Sequence, residues 1–522
     1  MKKTMKRFAF FCILSCIFSL FVACGDNKKA EKTETQAKEI TVGVTSFADT
    51  LEPTEQYFSW VITRYGVGEN LTRFDEQGEL QSLLAESWEV SEDHLTWTFK
   101  IRDGVTFSNG NPLTAAAVKS SLERTFEKSG RSEGFFKFTS MEAEGQTLTI
   151  KTEKPVAILP QCLADPLFLI VDTSVNTNEF LTKGPICTGP YKFEEFKPGE
   201  YTVVVKNENY WNGSPALDKV IFKDINDQNT RALSLKSGEI DIAYNLKVNN
   251  KADFEGNDEI VAQELKSLRS TYAFLNQKGD LKDKALRQAL LRGLNKKAYT
   301  ENLLQGAATP GKAPIPPTLD FGFDSLVDEN AYNPESAKEI LKNAGYVDKD
   351  GDGFVEKPDG SKLDLVFVLY TSREELNVYA QAAQASLKEI GIKITLKPVS
   401  YETLLDMRDS ANFDLLIWNV LAANTGDPEK YLYENWYSKS VSNQAGFYNE
   451  KVDEALDKMS VEFDPIQREK LAVEIQQEIM NDAAVAFFGY ETTFLYSNKR
   501  VTGLKMFPMD YYWITAQVGI AE

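Results

Sequence analysis

The chain has 522 residues, with 77 acidic against 58 basic side chains, a net charge of −19 and a single histidine. So acidic a body excludes non-specific nucleic-acid binding and is repelled by anionic lipid, and one histidine leaves little with which to build a protein-only nickel or zinc site. Hydrophobic residues at 42% and aromatics at 11% are ample for several large cores.

Lys2, Lys3, Lys6 and Arg7 form a cationic head, Phe8 to Ala23 is mostly apolar, and Cys24-Gly25 opens a polar stretch. The apolar run is shorter than the roughly 20 residues of a membrane span, so residues 1–23 read as a secretory signal and Cys24 as a lipidation site. An uncleaved anchor helix is the alternative and gives much the same location, held to the membrane and extracytoplasmic. Residues 24–38 are rich in lysine and glutamate and read as a flexible tether. Without the signal's cations the remaining chain carries about −23, so the acyl chains, at roughly 0.8 kcal/mol per CH₂, would hold it to the membrane rather than charge. Cys162 and Cys187 are the body's only cysteines; one bridge or two buried thiols are both open.

Alternation predicts strands at 39–44, 96–101, 147–152, 201–206, 219–225, 362–369 and 393–398. Helical periodicity predicts helices at 114–127, 230–237, 282–305, 334–343, 378–390 and 465–481, with Thr114 as an N-cap and Pro334 and Pro465 at first helical positions. Helix 378–390 leading into strand 393–398 is an α/β unit, so the chain is read as a large α/β protein of several lobes.

Leu-Ala-Glu-Ser-Trp at 84–88 runs through Thr96-Trp97-Thr98-Phe99 and Arg102-Asp103-Gly104-Val105 to Phe107-Ser108-Asn109-Gly110 and Pro112-Leu113-Thr114-Ala115. Thr188-Gly189-Pro190-Tyr191, Lys206 to Trp211, Ser237 to Asp241, Arg287 to Leu290, Pro314 to Pro317, Ala337 to Tyr346 and Asp427-Pro428 follow in order. This series resembles the family 5 extracytoplasmic solute-binding proteins of peptide and nickel ABC importers. The resemblance implies a two-lobed fold like that of type II, cluster C periplasmic binding proteins, with an extra subdomain in the first lobe. Lobe I would hold 39–270 plus 490–522, with the insertion at about 81–184, and lobe II 271–489. It also implies a monomer that closes on a small solute and delivers it to permease and ATPase subunits.

By the same resemblance, three regions meet ligand. In the first, Tyr57, Trp60 and Arg64 stand together; Trp60 and Arg64 share a helix face, suiting a flat carboxylate-bearing ligand. A core tryptophan beside an arginine reaching to solvent is the other reading of that pair. The second offers Arg131 and Phe135, while Ala164-Asp165-Pro166 stands where some nickel binders carry an arginine. The third, Trp418 to Pro428, offers Trp418, Asn419, Asn424 and Asp427. Asn424 lies where peptide-binding relatives carry an aspartate for the ligand's α-amino group, and a neutral amide lacks that charge. Asp427 is equally read as a brace for the helix that follows. The window around Trp60 resembles nickel- or metallophore-binding members, so the ligand read here is nickel or another transition metal as an organic chelate, with oligopeptides as the alternative.

Asp348, Asp350, Asp352 and Glu356 match the start of a calcium loop, with the short Asp359 at its last position. A structural calcium ion and a solvated hairpin are both open there, and no cofactor is required for transport. The sequence contains no Gly-x-Ser-x-Gly elbow, His-Glu-x-x-His helix or histidine triad, so a binding protein is expected rather than an enzyme. A sensor built on the same binding fold is the remaining alternative.

Overall fold

The computed structural model describes residues 37–521 apart from 46–47, 247–249, 255 and 372. The signal, Cys24 and nearly all of the tether lie outside the described residues. Among the described residues no helix is long and apolar enough to cross a membrane.

One large sheet threads the molecule. From one edge its strands are Lys393–Val399, Asp364–Tyr370, Leu415–Leu421, Ile260–Leu275, Val485–Asn498, Ile242–Tyr244, Glu39–Val44, Lys219–Asp224, Tyr201–Lys206 and Tyr191–Lys197. The two long central strands, Ile260–Leu275 and Val485–Asn498, pair antiparallel along most of their length. Register shifts between Lys266 and Ser270 and between Thr271 and Tyr272 interrupt that pairing, and such bulges bend a strand. The apolar cores divide there. One gathers residues from Tyr272 to Phe488, another draws from Ile40 to Tyr244 and from Leu495 to Val518. The fold is thus two-lobed α/β, with these strands crossing between lobes.

A separate four-stranded sheet, Ala85–Val90, Thr96–Ile101, Thr147–Thr152 and Phe138–Glu144, packs with helix Ala115–Lys128 around its own core. Thr114 caps that helix by accepting from Ala117 N at 3.2 Å. Caps also fix helices Pro334–Asn343 and Pro465–Asn481, through Asn333 and Asp464. The single helix predicted over 282–305 is instead broken: Lys284–Gly293 ends, Asn295 caps a new turn, and Tyr299–Leu303 is wider than an α-helix. A Cβ at Gly293 would lie 2.6 Å from Ile390 Cδ1, so the first segment ends pressed against its neighbouring helix.

Several motifs that carry the resemblance converge as scaffold. Thr188 donates to Glu69 Oε2 at 2.7 Å, Trp211 Nε1 to the same oxygen at 2.9 Å and Tyr210 to Oε1 at 3.1 Å. Burial nevertheless pushes the Glu69 carboxyl up to about 7. Gly189 lies against the 66–67 backbone, where a Cβ would stand 2.4 Å from the Val67 carbonyl oxygen. Cys162 and Cys187 are both buried free thiols.

Candidate functional site

The first wall is built on helix Phe58–Arg64. Arg64 and Trp60 share a face, with the guanidinium 5.3 Å from the Trp60 ring and 4.7 Å from that of Trp513. Arg64 neither reaches solvent nor stands ready for a ligand carboxylate: Nη2 donates to Asp510 Oδ2 at 2.6 Å and Nε to the Asp510 carbonyl at 2.9 Å. The sequence reading of Arg64 as a ligand-reading group is corrected on this point, because the chain supplies its carboxylate. Tyr57, 45% exposed, stands edge-on to Trp60, and the Arg131 guanidinium stacks 3.9 Å over its ring while donating to the Gln56 carbonyl. Trp60 is edge-on to Tyr511, and its buried Nε1 has no hydrogen-bond partner among the described residues.

The second wall comes from the other lobe. Trp418 lies near-parallel to Tyr401 at 6.3 Å, with the Arg408 guanidinium 5.1 Å from its ring, and Tyr401 packs edge-on to Tyr370. Burial first, then the neighbouring Tyr57, raises the Tyr401 hydroxyl pKa. Below the aromatics Arg269 donates to Asn419 Oδ1 at 3.0 Å, and Arg373 reaches Glu375 at 3.2 Å. Burial and then the like charge of Arg373 push the Arg269 guanidinium down to about 10. Local spacing in the sequence pointed to neither arginine. One sits in a central strand with no clear alternation, the other in the turn before helix Glu374–Glu389, and only the sheet order joins them.

The remaining expected residues are committed to the seam between lobes or to scaffold. Asn424 Nδ2 donates to Asp165 Oδ2 at 2.9 Å, and Tyr511 donates to the Asn424 carbonyl at 2.8 Å. Asp165 is fully buried, and burial raises its carboxyl pKa. Asn424 therefore joins the turn before Asp427 to the distant stretches holding Asp165 and Tyr511. Asp427 is corrected as a ligand contact: Arg468 takes both its oxygens, at 2.9 and 2.7 Å, and Glu429 N donates to it at 2.9 Å. It is the brace for helix Glu429–Trp436. Phe135 packs edge-on to Phe168 under Lys430, whose ammonium lies 4.4 Å from its ring, so it belongs to the contact of the inserted subdomain with that helix. His94, the single histidine, packs against Phe463, with ring centroids 4.0 Å apart.

In the acidic loop, Asp348, Asp350 and Glu356 offer oxygens within 4.8 Å of one another. Lys362 stands among them: its ammonium bonds Asp350, lies 2.7 Å from Asp352 Oδ2 and 3.2 Å from Glu356 Oε1, and these carboxylates raise its pKa. Asp359 instead closes its own turn by accepting from Ser361 N and Oγ, at 2.9 and 2.7 Å. A calcium ion would have to displace the lysine.

Aromatic rings and guanidiniums are the groups that bind flat and anionic guests, by stacking and by hydrogen bonds. Residues 79–443 match the family model for bacterial extracellular solute-binding proteins, family 5. The chain is 26% identical over 458 residues to the nickel-binding protein NikA of Staphylococcus aureus, covering 88% of this chain and 90% of that protein. It is 28% identical to the oligopeptide-binding protein AppA of Bacillus subtilis, covering 84% and 83%. The solved structure of the S. aureus NikA in complex with Ni(L-His)2 superposes with a TM-score of 0.79 at 24% identity, over 93% of this chain and 100% of that one. The chain belongs to the bacterial extracellular solute-binding proteins, family 5, and is a binding protein rather than an enzyme.

Proposed function

We propose that this chain is the substrate-binding component of an ABC importer and captures a transition metal, nickel foremost, already wrapped in small carboxylate-bearing molecules. The observation that carries this reading is the gathering of Arg64, Arg131, Arg269, Arg373 and Arg408 about an aromatic seam in a chain of net charge −19. Asp510 pairs with Arg64, and the side-chain hydrogen bond of Arg269 goes to a neutral amide. Carboxylates on the guest would supply the missing charge, and the aromatic rings would cover its flat faces. None of the side chains placed at the seam is a histidine or cysteine, so the organic part of the guest would supply most of the metal's ligands. The nickel-binding name of the S. aureus relative, and Ni(L-His)2 in its solved complex, support this class of guest.

The lobes, 39–270 with 490–522 and 271–489, would move about the two long strands, and ligand that contacts both walls would favour the closed form. Acylation at Cys24 and the tether over 24–38 would hold the monomer beside its permease and ATPase. The acidic loop is a separate structural feature whose resident cation is Lys362. Calorimetry tests the ligand: nickel with excess L-histidine should give saturable binding, while nickel alone gives none. Binding of a free-amine tripeptide with no response to the chelate would transfer the reading to oligopeptides.

A further inference from the structure

The seam floor carries one more carboxyl group. Glu491, on strand Val485–Asn498, accepts from the Thr271 hydroxyl at 2.7 Å. Thr271 Oγ1 accepts from Asn419 Nδ2 at 2.7 Å, and Asn419 Oδ1 accepts from Arg269 Nη1 at 3.0 Å. A continuous run of side-chain hydrogen bonds thus joins the carboxyl to an arginine of the second wall, across three adjacent strands of the sheet.

The charged and titratable groups around Glu491 come from two other elements. Arg269 faces it from strand Ile260–Leu275; Glu375, Arg373 and Tyr379 face it from helix Glu374–Glu389 and the turn before it. Tyr379 stays neutral, since burial raises its hydroxyl well above the ordinary tyrosine range. The paired segment Ala308–Pro310 adds no charge. Around this floor two guanidiniums meet two carboxyl groups; the Arg64–Asp510 ion pair also reaches Arg269 but adds no net charge, so the charge of one carboxyl decides the sum.

We propose that Glu491 is a specificity-determining residue that sets the charge of the floor: protonated, it leaves Arg269 and Arg373 with Glu375 and the mutually balanced Arg64–Asp510 pair, and so with an excess positive charge for a ligand carboxylate. Ionised, it completes the neutralisation and the floor holds that carboxylate weakly. The inference deepens the chelate reading and rests on it. Burial, then the charge of Glu375, outweighs both arginines and pushes the Glu491 carboxyl up to about 8. Capture of an anionic guest is then strong at neutral or mildly acid pH and falls under alkaline conditions.

The test compares the wild-type chain with Glu491→Gln, whose amide oxygen still accepts from Thr271. The probe is nickel with excess L-histidine, titrated at several pH values; because both proteins meet the same chelate, its own protonation cancels. Between about pH 7 and about pH 9 the wild-type Kd should rise about tenfold more than that of the variant, as linkage to one such group requires. A ligand-free readout runs beside it. The folded carboxyl titrates above the unfolded one, so its share of stability is complete below the unfolded pKa and lost as pH rises through about 8. The wild-type Tm should therefore fall relative to that of Glu491→Gln over this range. Glu375→Gln is the second variant and should move the midpoint of the wild-type binding profile to lower pH. Parallel binding profiles for wild type and Glu491→Gln, or an unmoved midpoint in Glu375→Gln, overturn the inference while chelate binding stands. No chelate binding by any of the proteins at any pH overturns it together with the reading beneath it.

Discussion

Arg468 is buried and Arg269 partly so, yet their environments act on them in opposite directions. Arg468 is gripped by both oxygens of Asp427 and by Glu429 at 2.8 Å, and these charges raise its pKa in spite of burial. Arg269 has an amide for a partner and another arginine for a neighbour, and its pKa falls to about 10. One guanidinium is gripped by carboxylates of its own chain and holds a helix in place; the other has no carboxylate in its hydrogen bond and is answered only at a distance. The acidic loop repeats the first case with signs reversed, since Lys362 matches carboxylates that would otherwise attract a cation. Clustered charge therefore marks a site where the chain's own counter-charges fall short, and the sign of the shortfall names the class of guest.

The comparison is broken most forcefully at Arg468. Replacing it with alanine leaves Asp427 as an unpaired buried carboxylate and should lower stability by about 3–5 kcal/mol, read from urea unfolding. A loss under about 1 kcal/mol would mean that the pair is not a structural brace. Arg269→Ala should act oppositely: relief from the Arg373 charge keeps stability level or raises it, while affinity for the nickel–histidine chelate falls at least tenfold, about 2 kcal/mol for a charged hydrogen bond. A stability loss with unchanged affinity in calorimetry would put Arg269 with Arg468. Asn424→Asp sets a second carboxylate against Asp165; weaker closure should cost about tenfold in affinity, about 1.4 kcal/mol, and X-ray scattering of the ligand-bound protein should show a larger radius. An unchanged radius and affinity would mean that Asn424 plays no part in closure. The smallest effect is expected at Lys362→Gln. Exposed ion pairs contribute little to stability, so Tm should barely move, but the variant should acquire calcium-dependent terbium luminescence quenching that the wild type lacks. Equal quenching in both proteins would show that the lysine does not hold the loop's cation position.

Elements whose ends are fixed by local chemistry were legible in the sequence. Asp464-Pro465 and Asn333-Pro334 begin helices where capping requires, and alternation from Glu39 to Val44 gives a strand. The break after Gly293 was not legible, because the packing that leaves no room for a side chain there comes from Ile390, at the end of a distant helix. Tyr57, Trp60, Trp418 and Asn419 could be named from family resemblance; Tyr57 and Trp60 are in ring contact at one helix, and Trp418 and Asn419 lie on strand Leu415–Leu421. The partner of Arg64 could not be read, since Asp510 reaches it only through the tertiary fold; the brace read for Asp427 holds, with Arg468 as the partner that only the fold reveals. Arg269, Arg373 and Glu491 were hidden for the same reason: three widely separated segments meet only where the sheet is assembled.

Native mass spectrometry of the protein purified without refolding, with the released guest identified, tests the central claim most directly. The account predicts a bound mass carrying a transition-metal isotope pattern together with carboxylate-bearing organic matter, and its loss from Arg269→Ala. A ladder of peptide masses, or a bare metal ion with no organic partner, would contradict it.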